Sequence, residues 1–409
     1  MSRPRERKWL GIVTALYGVS TLVAMAPMSL GAALLGGSVF YLWFSDSSFR
    51  NHAKNLISTP EFKKYIRISA LFLTACVLSL VGAAFFPIGI NGVKPQVSFI
   101  SDFSKSWYFL WPIVIALALK SISPQERKTA LRAWFIAFGI LSFVGIVQHF
   151  VGWPRPQRIP GNDSRYHATL FLGHHLSVAS IWIFPFFAAL DLLRKKDRLG
   201  FSKNTLRTLV LFGGATLFLT YSRALWVAMV PGILIWCWLS YPKKWAGGAT
   251  ILILIAALTA TQIPSINNRI HDSLGVDTRL QLWSANLDFF KSRPLTGVGM
   301  RKNEGLSEAY LELKNPGKPH FVGHAHNNFL EILAGCGLLG FLTWILWITF
   351  AISISSRMSL FSSGIVSAWV VFHINGLTQL NFWEGKVEHQ MMWILGWALL
   401  TSQRGVNAD

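Results

Sequence analysis

Charge is what this sequence has least of. Of its 409 residues only 14% are Asp, Glu, Lys or Arg, where an ordinary soluble domain carries about a quarter. So little polar surface cannot coat a globule in water, and a soluble enzyme is excluded. The same argument removes the nucleic-acid-binding protein that a pI of about 10.2 would otherwise suggest. Cysteine is also scarce. Cys76, Cys237 and Cys336 lie in apolar runs far apart in sequence, which indicates neither a disulfide framework nor a thiolate metal site. Acidic residues are few: 18 Asp and Glu stand against 38 Lys and Arg, leaving a formal charge of +20.

Apolar residues are plentiful, at 52%, with 30 Phe and 18 Trp. The expected fold is an all-α polytopic membrane protein, since a helix of roughly 20 apolar residues spans the hydrocarbon. Twelve spans are read at about 9–26, 28–44, 68–88, 107–119, 133–152, 168–193, 208–222, 224–240, 248–263, 327–354, 362–380 and 388–402. Residues 1–263 thus carry nine, 264–326 form one large extramembrane loop, and 327–409 carry three. The separations at Ala26-Pro27 and Ser222-Arg223 are the least marked, because one bent helix would read the same way. Arg3, Arg5, Arg7 and Lys8 before an apolar run ending Ala24-Met25-Ala26 have the outline of a signal peptide, but a second apolar run after Pro27 favours an uncleaved helical hairpin.

With both termini cytoplasmic, 23 of the Lys and Arg residues fall inside and 15 outside, as the positive-inside rule requires for an even number of spans. Only His52 of the eleven histidines maps inside. Histidine is the side chain suited to proton transfer near neutral pH, so chemistry is expected at the outer face. The loop 264–326 is long enough to be functional. Asp277-Thr278 offers an N-cap, followed by Leu280, Trp283, Leu287 and Phe290 at helical spacing, which predicts an amphipathic helix on the membrane or the bundle. Turn residues from Arg293 to Gly299 end it, a second helix is expected from Glu304 to about Lys314, and Asn315-Pro316-Gly317-Lys318-Pro319 closes that one.

Two arginines stand out. Arg279 is expected in the first turn of the amphipathic helix, where unpaired N–H groups favour an anion and a guanidinium can grip phosphate; an arginine on lipid headgroups is the competing reading. Arg223 lies between two apolar runs, where an arginine costs a few kcal/mol unless paired or solvated. It is expected to face a watery cavity, against the alternative of a snorkelling interfacial residue. Further along, Gly323-His324-Ala325-His326-Asn327-Asn328-Phe329-Leu330-Glu331 opens a long apolar helix running through Gly335, Gly337 and Gly340. The i, i+2 spacing of His324 and His326 does not fit a helical zinc pair. Asn327 reads equally as a helix cap.

At this point the sequence resembles the bacterial O-antigen ligases, in the superfamily they share with O-antigen polymerases and some O-linked oligosaccharyltransferases. The ligase motif is His, then Asn, Ser or Gln, nine residues, Gly, two residues, and Gly, Thr or Val; here it is His326-Asn327, Gly337 and Gly340. A second signature, Arg followed after three residues by Leu, departs conservatively as Arg223 and Val227. Arg279, Trp283, Arg293-Pro294-Leu295 and Gly297-Val298-Gly299 also look like this family, as does a twelve-span layout with one periplasmic loop. The resemblance implies a multi-pass protein of the bacterial inner membrane. It would transfer a glycan from an undecaprenyl-pyrophosphate-linked donor to the outer sugar of lipid A–core, at the periplasmic face and without a metal or other cofactor.

For that reaction the residues suggest His326 as general base, with Arg223 and Arg279 clamping the pyrophosphate and Asn327 and His324 as further substrate-binding candidates. Among the ten outward-mapping carboxylates there is no Asp-x-Asp pair. Arg155, Arg158 and Arg165 stand where phosphorylated core sugars or headgroups would be met, and His373, Asn375 and Gln379 form a polar stripe that faces either the cavity or a neighbouring helix. The expected partners are the lipid-linked donor, the lipid A–core acceptor and the phospholipid membrane. The alternatives are O-antigen polymerase, which uses the same donor, and an O-linked protein oligosaccharyltransferase. A transporter would show internal repeats and polar or broken helices at mid-membrane, and no convincing repeat is found.

Overall fold

The structure, a computed structural model, describes residues 8–104, 106–160, 162–263, 267, 274–314, 316–317 and 323–401. His271 and His320 lie outside the described residues, as do Asn315 and Lys318-Pro319 of the expected loop. The helices are α1 (Lys8–Ser20), α2 (Met25–Ser45), α3 (Ser47–Ile57), α4 (Pro60–Phe85), α5 (Phe99–Ser104), α6 (Trp111–Ser121), α7 (Pro124–Val151), α8 (His175–Arg194), α9 (Lys203–Leu219), α10 (Arg223–Ser240), α11 (Lys243–Ala260), α12 (Leu274–Ser292), α13 (Asn303–Lys314), α14 (Asn328–Ser355), α15 (Ser362–Asn375) and α16 (Gly385–Thr401). A small antiparallel hairpin, β1 (Arg158–Ile159) with β2 (Asn162–Tyr166), lies between α7 and α8.

Each of the twelve apolar stretches coincides with a helix. Among the described residues, six helices are long and apolar enough to cross a membrane: α2, α4, α7, α8, α10 and α14. The outer surface is strongly apolar, with Phe40, Leu211 and Leu252 each about two-thirds exposed. Apolar surface on this scale is costly in water and costs nothing in lipid. The chain is an integral membrane protein.

Inside, aromatic side chains fill the space between helices; Trp134, Trp182, Trp344, Trp347, Trp369 and Trp393 are fully buried. Polar knots join the helices. The Asp191 carboxylate on α8 accepts from Trp236 Nε1 (2.8 Å) on α10 and from the Gly364 amide (2.7 Å) on α15. Tyr17 and Thr21, at the end of α1, meet His389 (3.1 Å) and Gln390 (2.6 Å) of α16. His389 is therefore a core residue. Cys76 and Cys336, 260 positions apart in sequence, bring their Sγ atoms to 3.9 Å as free thiols.

Of the two least marked separations, the first differs from expectation and the second falls where it is expected. The first break falls between Ser20 and Met25, so Pro27 lies in the first turn of α2, where a missing N–H costs nothing. The second break, between α9 and α10, is made by Tyr221 in a left-handed conformation (φ 54°) and by the Ser222 hydroxyl, which accepts from the Leu225 amide. α3 was not foreseen; Asp46 caps it by accepting from the Phe49 amide.

The principal correction concerns α14. It is not one continuous helix: Gly337 has φ 66° and ψ −168°, a conformation essentially reserved for glycine. The breach is filled by the segment that follows α12. Val298 and Gly299 donate to the carbonyls of Ala334 (2.9 Å) and Gly335 (3.0 Å), while Leu338 and Leu339 donate to Pro294 (2.8 Å) and Leu295 (3.2 Å). Ser79 Oγ adds a bond to the Gly335 carbonyl (2.7 Å). Irregular backbone at membrane depth survives only where protein satisfies it, and here the Pro294–Gly299 segment does so.

Candidate active site

The inserted segment fixes α12 and α13 against the start of α14. Arg293 donates to the carbonyls of Gly82 (2.7 Å) and Phe86, closing the end of α4. Asn303 Nδ2 donates to Asn286 (2.7 Å) and the Tyr310 hydroxyl to Asp288 (2.5 Å), joining the two loop helices. That hydrogen bond, with Lys291 beside it, holds the Asp288 carboxyl below its ordinary range.

Two expectations for α12 are corrected. The helix begins at Leu274, upstream of Asp277, so the cap is not at Asp277-Thr278 and Arg279 sits in the second turn. The anion preference of a helix start therefore does not act through Arg279. The packed face is Leu282, Ala285 and Phe289, while Leu280 and Leu287 stay exposed. This helix is apolar on two sides, and periodicity alone selected the outer one.

The histidine loop is held from both directions. Trp283 Nε1 donates to the Ala325 carbonyl (3.0 Å), and the Ala325 amide donates to the Glu331 carboxylate (2.8 Å). Asn327 is the N-cap of α14; its side-chain oxygen accepts from the amides of Phe329 (2.9 Å) and Leu330 (3.1 Å). Asn328 donates its amide to Gly376 (2.8 Å) and accepts from the amides of Asn381 and Phe382. Between these anchors His326 adopts φ 47°, uncommon for a residue with a side chain. Strain of that kind persists only where surroundings enforce it, and it gathers at functional sites.

Around the His326 ring stand His324, with ring centroids 4.2 Å apart, Arg279, His174, and Gln379 within hydrogen-bonding reach. Burial, then His324 and Arg279, push the imidazole down to about 3, against a smaller upward effect of Gln379. The ring is neutral at pH 7. His324 is also held down, first by burial, while Glu304 opposes the shift and Arg301 adds to it.

Arg223 is the first residue of α10. Its neighbour Tyr221 contacts His167 (5.9 Å) and His149 (5.8 Å), His167 stacks on His175 (4.3 Å), and His175 on His174 (4.9 Å), which acts on His326. Among the described residues no three His, Cys, Asp or Glu side chains are placed to share a metal ion. His373 stacks on Trp369 (5.9 Å) and Asn375 donates to Ser180 (3.3 Å), so of the polar stripe only Gln379 reaches His326. Arg165 lies over the Phe150 ring (4.7 Å).

Residues 208–345 match the family model described as O-antigen ligase. The match supports membership of the O-antigen ligase and polymerase superfamily. No curated protein matches the chain. The matched segment runs from α9 to the middle of α14 and includes Arg223, Arg279, His326 and the broken turn at Gly337. His174 and Gln379 lie outside it. Both belong to the site through space alone; an outward-mapping histidine was the one sign of His174 in the sequence. Chemically, the arrangement offers a neutral imidazole able to accept a proton, next to a guanidinium able to hold an anion.

Proposed function

We propose that this protein is a glycosyltransferase that moves a glycan from undecaprenyl pyrophosphate to the outer sugar of lipid A–core, at the periplasmic face of the inner membrane. The observation that carries the reading is the enforced left-handed His326 beside Arg279, within a segment that matches the O-antigen ligase family. His326 takes the proton of the acceptor hydroxyl. The freed oxygen attacks the anomeric carbon, and the bond to the pyrophosphate oxygen breaks with its electron pair. General base catalysis of this kind contributes about 10²- to 10⁴-fold.

Arg223 and Arg279 hold the departing pyrophosphate, and their effect grows as charge develops on the leaving oxygen. The reaction proceeds without a metal ion, because the guanidiniums supply the positive charge. Burial first, then His324 and Arg279, keep the imidazole neutral, and a pyrophosphate beside Arg279 would offset that guanidinium's share of the shift.

The superfamily includes polymerases, which use the same donor and the same groups, so the acceptor is the distinguishing point. The test supplies membranes containing the protein with a defined undecaprenyl-pyrophosphate-linked glycan and lipid A–core together. Capped core is the expected product. Longer lipid-linked glycans would identify a polymerase instead.

A further inference from the structure

A second polar feature lies beside the histidine loop. An open cleft is lined by Asp102, Met300, Arg301, Lys302 and Glu304. Its floor is rigid: Met300 is buried, Gly299 is bonded to Gly335, and Asn303 is fully buried against Asn286. Lys302 and Asp102 form an ion pair at 2.7 Å that joins α5 to the loop before α13. Arg301 has a left-handed backbone (φ 59°), a conformation unfavourable for a long side chain. Among the described residues, neither the Arg301 guanidinium nor the Glu304 carboxylate makes a hydrogen bond or ion pair. Both are close enough to His324 to act on its charge in opposite senses.

We propose that this cleft is the acceptor-sugar subsite, in which Arg301 and Glu304 bind hydroxyls of the glycan whose reacting hydroxyl is presented to His326. The inference rests on the transferase reading above and adds the site of its second substrate. Three observations favour a sugar over a phosphate. With Lys302 and Asp102 neutralising each other, the remaining Arg301 and Glu304 also cancel, so the cleft has no net charge to attract an anion. A phosphate would be repelled by Glu304 at short range. Sugar hydroxyls donate and accept, and the cleft is lined by both an unused fork of donors and an unused pair of acceptor oxygens. The position is also appropriate: the groups that line the cleft act on His324, two residues from the base, while Arg279 acts on His326 itself.

The experiment is two-substrate kinetics on the purified full-length protein in lipid nanodiscs, with undecaprenyl-pyrophosphate-linked glycan as donor probe and rough lipopolysaccharide as acceptor probe. Arg301→Ala and Glu304→Gln are each expected to raise the acceptor KM about tenfold or more, as loss of a hydrogen bond to a charged group implies, with the donor KM within about twofold. An unchanged acceptor KM, or a rise confined to the donor KM, overturns the proposal. Glu304 is exposed, so its variant carries the test if Arg301→Ala does not fold. If the wild-type protein forms no capped core from these probes, the ligase reading fails on its own. Equilibrium binding of labelled rough lipopolysaccharide to wild-type and Glu304→Gln protein then decides the subsite: weaker binding by the variant supports it, and equal binding or none overturns it.

Discussion

Gly337 lies so close to Leu295 that a Cβ added to it would stand 2.4 Å from the Leu295 carbonyl carbon and oxygen. The contact is where the loop between α12 and α13 enters the breach in α14. Gly297 meets the same limit from the other side, 2.4 Å from the Gly335 carbonyl oxygen. Gly337→Ala therefore has to expel the loop or strain the backbone, at a cost of at least about 3 kcal/mol. We expect a lower unfolding temperature in detergent and loss of transfer, because the displaced loop carries α12 and Arg279. A variant with wild-type stability and activity would show that the insertion does not hold the site.

Arg293 and Arg279 are only 14 positions apart, yet their expected roles are opposite. Arg293 is committed to the Gly82 and Phe86 carbonyls at the end of α4. Arg293→Ala should lower stability by about 1–3 kcal/mol. Arg279→Lys should leave the unfolding temperature unchanged while reducing transfer at least about tenfold, since lysine keeps the charge but not the bidentate fork. Thermal unfolding beside a transfer assay separates the two; a stability loss in Arg279→Lys with full activity would reverse the assignment.

The depressed His326 couples stability to pH. Its folded value, about 3, lies below the ordinary histidine value of about 6.5, so between these limits the unfolded chain binds a proton that the folded protein does not. Stability is complete above about pH 6.5 and declines as the pH falls toward 3. His326→Gln should make the decline of unfolding temperature between about pH 7 and 5 shallower. The same slope in variant and wild type would mean that His326 is not held neutral by its surroundings.

Much of this was legible in the residue pattern because it is local. Each apolar run of helical length coincides with a helix, six of which are long and apolar enough to cross a membrane among the described residues, and His326-Asn327 with Gly337 and Gly340 lie in the segment that the family model matches. The break at Gly337 was not legible, since it depends on hydrogen bonds from Pro294–Gly299, some forty residues upstream. An apolar stretch containing three glycines reads as a helix unless the partner of its freed carbonyls is known. The approach of His174 and Arg301 to the histidine loop is hidden for the same reason, since they come from the start of α8 and the loop before α13, whereas the polar stripe already offers Gln379 as a cavity residue. Asp277-Thr278 looks like a cap, but residues 274–276 are already helical, which moves Arg279 away from the helix start.

The most direct measurement is transfer by purified His326→Ala protein, supplied with lipid-linked glycan and lipid A–core, after its unfolding temperature has been matched to that of the wild type. A fall in rate of about 10²-fold or more is expected, with the donor still bound. Near-wild-type formation of capped core by the folded variant would contradict it.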